Sequence, residues 1–109
     1  MSQVQTEEAG RHPLADINTL IHAPARLMVL TNLYVVTSAD YVFLMRQTGL
    51  TWGNLSAHLS KLEEAGYVAV EKEFRGKKPH TTVRLTDEGR AAFREYKRSM
   101  QQVLDDLPD

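Results

Sequence analysis

The feature that most constrains this chain is a change of hydrophobic period. From Pro24 to Gly66 apolar residues recur at spacings of three and four, the mark of amphipathic helices. After Gly66 the spacing drops to two, and after Thr86 it returns to three and four. With 109 residues there is room for one ordinary domain. Helices, one hairpin and a closing helix predict an α+β fold, mainly α.

Local residues place the elements. The polar residues 1–12 read as a flexible leader before a single domain over 13–107. Leu14, Ile17, Leu20 and Ile21 share one face of a helix expected over Leu14–His22. Pro24 suits the first position of a second helix, with Leu27, Leu30, Leu33 and Tyr34 on one face. Met28, Val29, Val35 and Val36 on its other sides predict that it is central and well buried. Thr37 and Ser38 break the chain, and Asp40 falls in the first turn of a third helix, Ala39–Gln47, that buries Tyr41, Leu44 and Met45. Gly49 closes it as a left-handed glycine. Thr51 caps a fourth helix that runs to Ala65 and stops at Gly66.

The alternating stretch puts Val68, Val70 and Phe74 inward, with Glu71 and Glu73 outward. Lys72 interrupts the inward run, so this strand leaves the core near there. Residues 75–80 form a turn, and a second strand, Thr81–Leu85, points Val83 and Leu85 inward. Thr86 caps the last helix, with Asp87 and Glu88 in its positive-dipole turn. That helix carries Phe93, Tyr96, Met100, Val103, Leu104 and Leu107 as a stripe reaching past anything the hairpin can cover. Such a stripe must be buried, on the first helix of the same chain or on a second copy. The expectation is both: a homodimer interface of Leu14, Ile17, Leu20, Ile21, Tyr96, Met100, Val103, Leu104 and Leu107. A cavity between the first and last helices is the place for a small-molecule effector.

Several function classes drop out. There is no cysteine, which excludes disulfides, thiolate nucleophiles and Cys-ligated metal, and fits a reducing cytoplasm. The four histidines, His12, His22, His58 and His80, make no metal-ligand pair by spacing, although a site shared across a dimer through His12 or His22 stays open. No phosphate-binding glycine loop or nucleophile elbow is present. Glu63 and Glu64 diverge by about 100° on a helix and cannot share a substrate atom. The expectation is no enzyme activity, no cofactor and no metal. No run approaches the roughly 18 apolar residues of a membrane span, and the N-terminus lacks the apolar stretch of a signal peptide. The expected location is cytoplasmic.

The formal net charge is −1, but the charges are not mixed evenly. Five of the fourteen acids lie in the first ten and last nine residues, which carry no base; the body of the chain is net basic. Arg75, Lys77, Lys78 and Arg84 form one focus without an acid. A charge run is usually a solvated loop; beside the right helix it is a phosphate contact.

That helix is the second of a helix-turn-helix over Tyr41–Gly66. Leu55, Leu59 and Leu62 must face the core, so Gly53, Asn54, Ala57, Ser60, Lys61 and Glu64 face outward, flanked by Ser56 and His58. Short polar side chains near the N-terminus let a helix backbone enter a major groove. Asn54 can pair with an adenine edge, Ser56 or Ser60 with a base or phosphate, Lys61 with a phosphate. Arg75 suits a narrow minor groove. The candidate contacts to double-stranded DNA are Thr51, Gly53, Asn54, Ser56, Ala57, His58, Ser60, Lys61, Arg75, Lys77, Lys78 and Arg84. Trp52 leans toward the preceding helix as an anchor; the alternative is stacking on the DNA backbone. Glu71 and Glu73 lower the positive charge beside the turn.

Taken together, Pro24-Ala25-Arg26-Leu27, the stretch from Gly53 to Leu59, Leu62-Glu63-Glu64-Ala65-Gly66-Tyr67-Val68 and the stretch from Thr81 to Arg90 resemble the small winged-helix transcriptional regulators related to the MarR and ArsR groups. The similarity spans Leu14 to Leu107. It implies a homodimeric DNA-binding repressor or activator, with residues 51–65 as recognition helix, the wing at 75–80 and dimerisation by the terminal helices. Ala57 departs from the larger polar or basic residue of many relatives and leaves contact with a thymine methyl. The rival is a winged helix that binds another protein, which calls for an exposed apolar groove where the cations lie.

Overall fold

The computed structural model describes residues 12–109, so the expected leader lies outside the described residues except for His12. His12 Nδ1 accepts the Leu14 N–H at 3.0 Å and caps a single 3₁₀ turn, Pro13–Asp16. The helix expected over Leu14–His22 does not form, and Asn18 is the reason. Its Oδ1 accepts the N–H groups of Leu20 and Ile21 at 3.0 and 3.1 Å, which holds a turn in place of helical hydrogen bonds. Its Nδ2 donates to Tyr67 Oη at 3.0 Å and fastens this segment to the far side of the domain.

Helix α1, Pro24–Val36, begins at its proline and buries Val29, Leu30 and Leu33. It is not buried all round: Val35 is 81% exposed, and Met28 and Val36 are exposed too. It packs most closely on the next two helices and the sheet, and its flank toward the chain's last helix stays partly open. The helix ends at Thr37, a non-glycine residue with φ of 68°, where a side chain is strained. Arg90 holds this corner. Its guanidinium donates to the Tyr34 carbonyl at 3.2 Å and to Thr37 Oγ1 at 3.0 Å, and lies 4.6 Å from the centre of the Tyr34 ring.

Strand β1, Ser38–Asp40, was not foreseen; three small or polar residues show no period. It shifts the next helix, α2, to Tyr41–Thr48, with Asp40 as N-cap rather than in the first turn: Asp40 Oδ1 accepts the Phe43 N–H at 2.7 Å. Gly49 is left-handed, as expected. Helix α3, Trp52–Glu64, is capped by Thr51, whose Oγ1 accepts the Asn54 N–H at 3.1 Å, and it buries Leu55, Leu59 and Leu62.

Strands β2, Val68–Arg75, and β3, Lys78–Leu85, form an antiparallel hairpin, and β1 adds to the other edge of β3 in the order β1-β3-β2. Pairing continues out to Arg75 opposite Lys78. The expected six-residue turn is therefore only Gly76-Lys77, with the glycine at positive φ in the first loop position, where a type II′ hairpin turn needs it. Val68, Val83 and Leu85 are buried, whereas Phe74, expected inward, is 74% exposed. Its register is inward, but the hairpin has by then passed the helices that would cover it.

Helix α4, Asp87–Asp105, starts at Thr86. Thr86 Oγ1 accepts the Gly89 N–H at 2.9 Å, and its own hydroxyl donates to the Gly66 carbonyl at 2.6 Å and reaches that of Tyr67 at 3.0 Å. Gly89 lies so close that a Cβ there would sit 2.1 Å from the Tyr67 carbonyl oxygen. Backbone on both sides leaves nothing flexible to give way. Gly89→Ala is expected to destabilise the fold by about 1–3 kcal/mol or more, read as a lower urea midpoint; an unchanged midpoint would contradict this packing.

Candidate nucleic-acid interface

The amphipathic period of α3 leaves one face for solvent. Gly53, Asn54, Ser56, Ala57, Ser60 and Lys61 are all exposed, as is Thr51 before the helix. Nothing lies within 4 Å of the position a Cβ would take at Gly53, so a flat ligand can approach the backbone there. Trp52 leans on the preceding helix: its ring centre is 4.1 Å from that of Tyr41, and Tyr41 Oη donates to its carbonyl at 2.8 Å. The indole is nonetheless 59% exposed, so one ring face is anchored and the other is free.

The hairpin stands beside this helix, and its two faces differ. Val70, Lys72 and Thr81 line a hollow of about 210 Å³ with Ser56, Leu59 and Ser60 of α3. A second hollow, about 430 Å³, lies between Trp52 and Tyr41 on one side and Lys72, Pro79 and Thr81 on the other. With a period of two, Phe74 continues the side of Val70 and Lys72. Glu71 and Glu73, opposite Thr82 and His80, fall on the other side. On the side facing α3 the hairpin presents Lys72 and no acid of its own, with Glu63 of α3 and Asp40 lining the same hollows; by the same alternation Arg75 and Lys78 share the face of Glu71 and Glu73. Arg75 lies 3.9 Å from Glu73 with both side chains well exposed, a pairing of little strength. Lys77 forms the loop, and Lys78 starts β3.

Not every expected residue joins this surface. Arg84, paired with Ser38 and Ala69, lies on the sheet face away from α3. His58 is half-buried and turned toward α1, where its Nδ1 accepts from Arg26 Nη1 at 3.2 Å. The Arg26 Nε–H donates to the Leu20 carbonyl, so Arg26 ties the N-terminal turn to α3. Lys72 was read only as an interruption of the strand. A cation at an inward register position is itself the mark of a face that meets something other than core.

A second surface lies across the domain. Leu27, Tyr34, Val35, Phe93, Met100 and Leu104 line an apolar groove of about 660 Å³ between α1 and α4. Leu104 and Leu107 beyond it are 59% and 61% exposed. Two residues expected in a dimer interface are instead core of one chain: Ile21 is fully buried, and Tyr96 is 8% exposed with its hydroxyl 2.8 Å from His22 Nδ1. The broken N-terminal helix turns Ile21 inward. Among the described residues no helix is long and apolar enough to cross a membrane.

Burial, then the charges of Arg26 and Lys61, hold the His58 imidazole below its ordinary pKa. Only the unprotonated ring can accept the Arg26 hydrogen bond. A folded-state pKa below the unfolded value means that acid drives protons onto the unfolded chain first. The stabilisation is present at neutral pH and lost as pH falls below about 6.5. Unfolding in urea at about pH 7.5 and about pH 5 should show a larger loss for the natural chain than for His58→Asn; equal losses would contradict this account.

The pattern of the winged helix DNA-binding domain family matches residues 25–104. An uncharacterized protein of Methanocaldococcus jannaschii is 34% identical over 77 residues, which are 71% of this chain and 84% of that one. The solved transcriptional regulator homologue of Pyrococcus horikoshii OT3 superposes with a TM-score of 0.78 at 28% identity, covering 87% of this chain and 94% of that one. A MarR-family transcriptional regulator of Silicibacter pomeroyi gives a TM-score of 0.66 at 22% identity over 85% of this chain and 62% of its own. The chain therefore belongs to the winged helix DNA-binding domain family.

Proposed function

We propose that this chain is a homodimeric transcription regulator, a repressor, that reads a pseudo-palindromic DNA site. Helix α3 enters the major groove, and the wing over 75–80 lies on the backbone or in the minor groove. One observation carries the reading: the exposed face of α3 is short and polar toward its N-terminus and stands beside a hairpin face that holds Lys72, with Glu63 of α3 the acid in the hollow between them. Thr51, Ser56, Ser60, Lys61, Lys77 and Lys78 supply phosphate contacts, which give most of the affinity. Asn54 reads an adenine edge, Ala57 touches a thymine methyl, and Gly53 admits the backbone.

The second copy covers the apolar residues of α4. Met100, Val103, Leu104 and Leu107 of the two chains meet, with Leu14, Ile17 and Leu20 beside them, and set the two α3 helices about 34 Å apart, one turn of DNA. Repression follows from occlusion of promoter DNA. The groove between α1 and α4 is where a small-molecule effector would act, by changing the angle between the paired helices and so the spacing of the reading heads.

The test is a pull-down of genomic fragments with sequencing at low and moderate salt. An inverted motif that survives moderate salt supports the reading. Smooth coverage that vanishes with salt would mean electrostatic binding alone, and no retention would point to a protein partner. On the recovered site, Asn54→Ala should relax preference at one base position by about 1–3 kcal/mol. Lys77→Ala should weaken all sequences alike and reduce the salt slope by about one. Leu104→Asp with Leu107→Asp should shift the sedimenting species from dimer to monomer; an unchanged dimer would place the interface elsewhere.

A further inference from the structure

Phe74 is a large apolar side chain on a strand, 74% exposed, that nothing among the described residues covers. Its neighbours explain what it is for. Arg75 and Lys78 flank the two-residue loop and form the hydrogen-bonded pair that closes such a hairpin, so Phe74 and Pro79 are the next, non-hydrogen-bonded pair. Side chains approach most closely in pairs of that kind. Proline costs no ladder bond there, because its nitrogen points to the open edge of β3 beyond the reach of β1, whose last pair is Asp40 with Thr82. Phe74 and Pro79 thus form an apolar ridge just behind the wing tip. Lys72 lies on the same side as this ridge and Lys77 sits in the loop just beyond it, while Arg75 and Lys78 follow Glu71 and Glu73 on the opposite face.

We propose that this ridge is a nonpolar contact for the DNA minor groove: Phe74 packs on the deoxyribose wall while Lys72 and Lys77 hold the flanking phosphates. The inference rests on the DNA-binding reading above and adds a wing residue that makes no charge contact. Charge complementarity selects DNA as the occupant, since a ring with Lys72 on one side along the strand and the loop's Lys77 on the other suits a polyanion whose grooves have apolar sugar walls. Apolar side chains used in this way are a general means of gripping a minor groove.

The experiment measures affinity for a labelled A·T-rich duplex of about 30 base pairs, long enough for two half-sites one helical turn apart, across a salt series. The natural chain is compared with Phe74→Ser, Phe74→Leu and Lys77→Ala. Phe74→Ser should lose about tenfold at every salt concentration with a parallel slope, as expected for lost apolar burial. Phe74→Leu should keep most of the affinity, whereas Lys77→Ala should flatten the slope. Because Phe74 is exposed, thermal unfolding of its variants should match the natural chain. Unchanged binding by Phe74→Ser, or a flattened slope, would overturn the inference alone. A change in oligomeric mass would also overturn it, since a second copy would then be what covers the ring. No binding by the natural chain would overturn the DNA reading itself.

Discussion

The backbone contact between Gly89 and the Tyr67 carbonyl is the joint on which this molecule depends. Thr86 caps α4 with the same oxygen that bonds the Gly66 and Tyr67 carbonyls, so the end of α3 and the start of the last helix are one unit. The Tyr67 hydroxyl accepts from Asn18 and draws in the N-terminal turn. Arg90, one residue after Gly89, reaches the end of α1 and steadies the strained Thr37. The surface around α3 and the groove between α1 and α4 are both built outward from this joint. A change in the direction of α4 therefore has a short and stiff path to the end of α3.

Much of this was legible in the sequence, for identifiable reasons. Thr51, Gly49, Pro24 and Thr86 carry their structural roles in their own chemistry, and all four stand where their chemistry puts them. The leucines of α3 lie at a clean spacing of three and four, so its exposed face could be named without coordinates. The losses have physical causes too. The N-terminal helix failed because one asparagine offers its carbonyl to two backbone N–H groups, a local competition that apolar spacing does not register. Strand β1 is too short to have a period. Gly89 carries no periodic signal, yet it is the place where two backbones touch. Phe74 matched the inward alternation but lies beyond the core, and periodicity cannot say where the core ends.

Net charge is a poor guide to this molecule. At −1 overall it looks indifferent to a polyanion. Register separates the charges that composition adds together: Glu71 and Glu73 share one side of the hairpin, and Lys72 takes the other. His58 shows the same lesson at the level of one residue. It belongs to α3, yet its hydrogen bond to Arg26 spends it on holding the fold.

The DNA-binding proposal rests on one edge of the domain, α3 with the hairpin beside it. The most direct measurement is a residue-by-residue map of amide NMR shifts as a duplex is titrated into the protein. The largest changes are expected over 51–61 and 72–79, with the α1–α4 groove little affected. Changes confined to the groove, or none along α3, would contradict it.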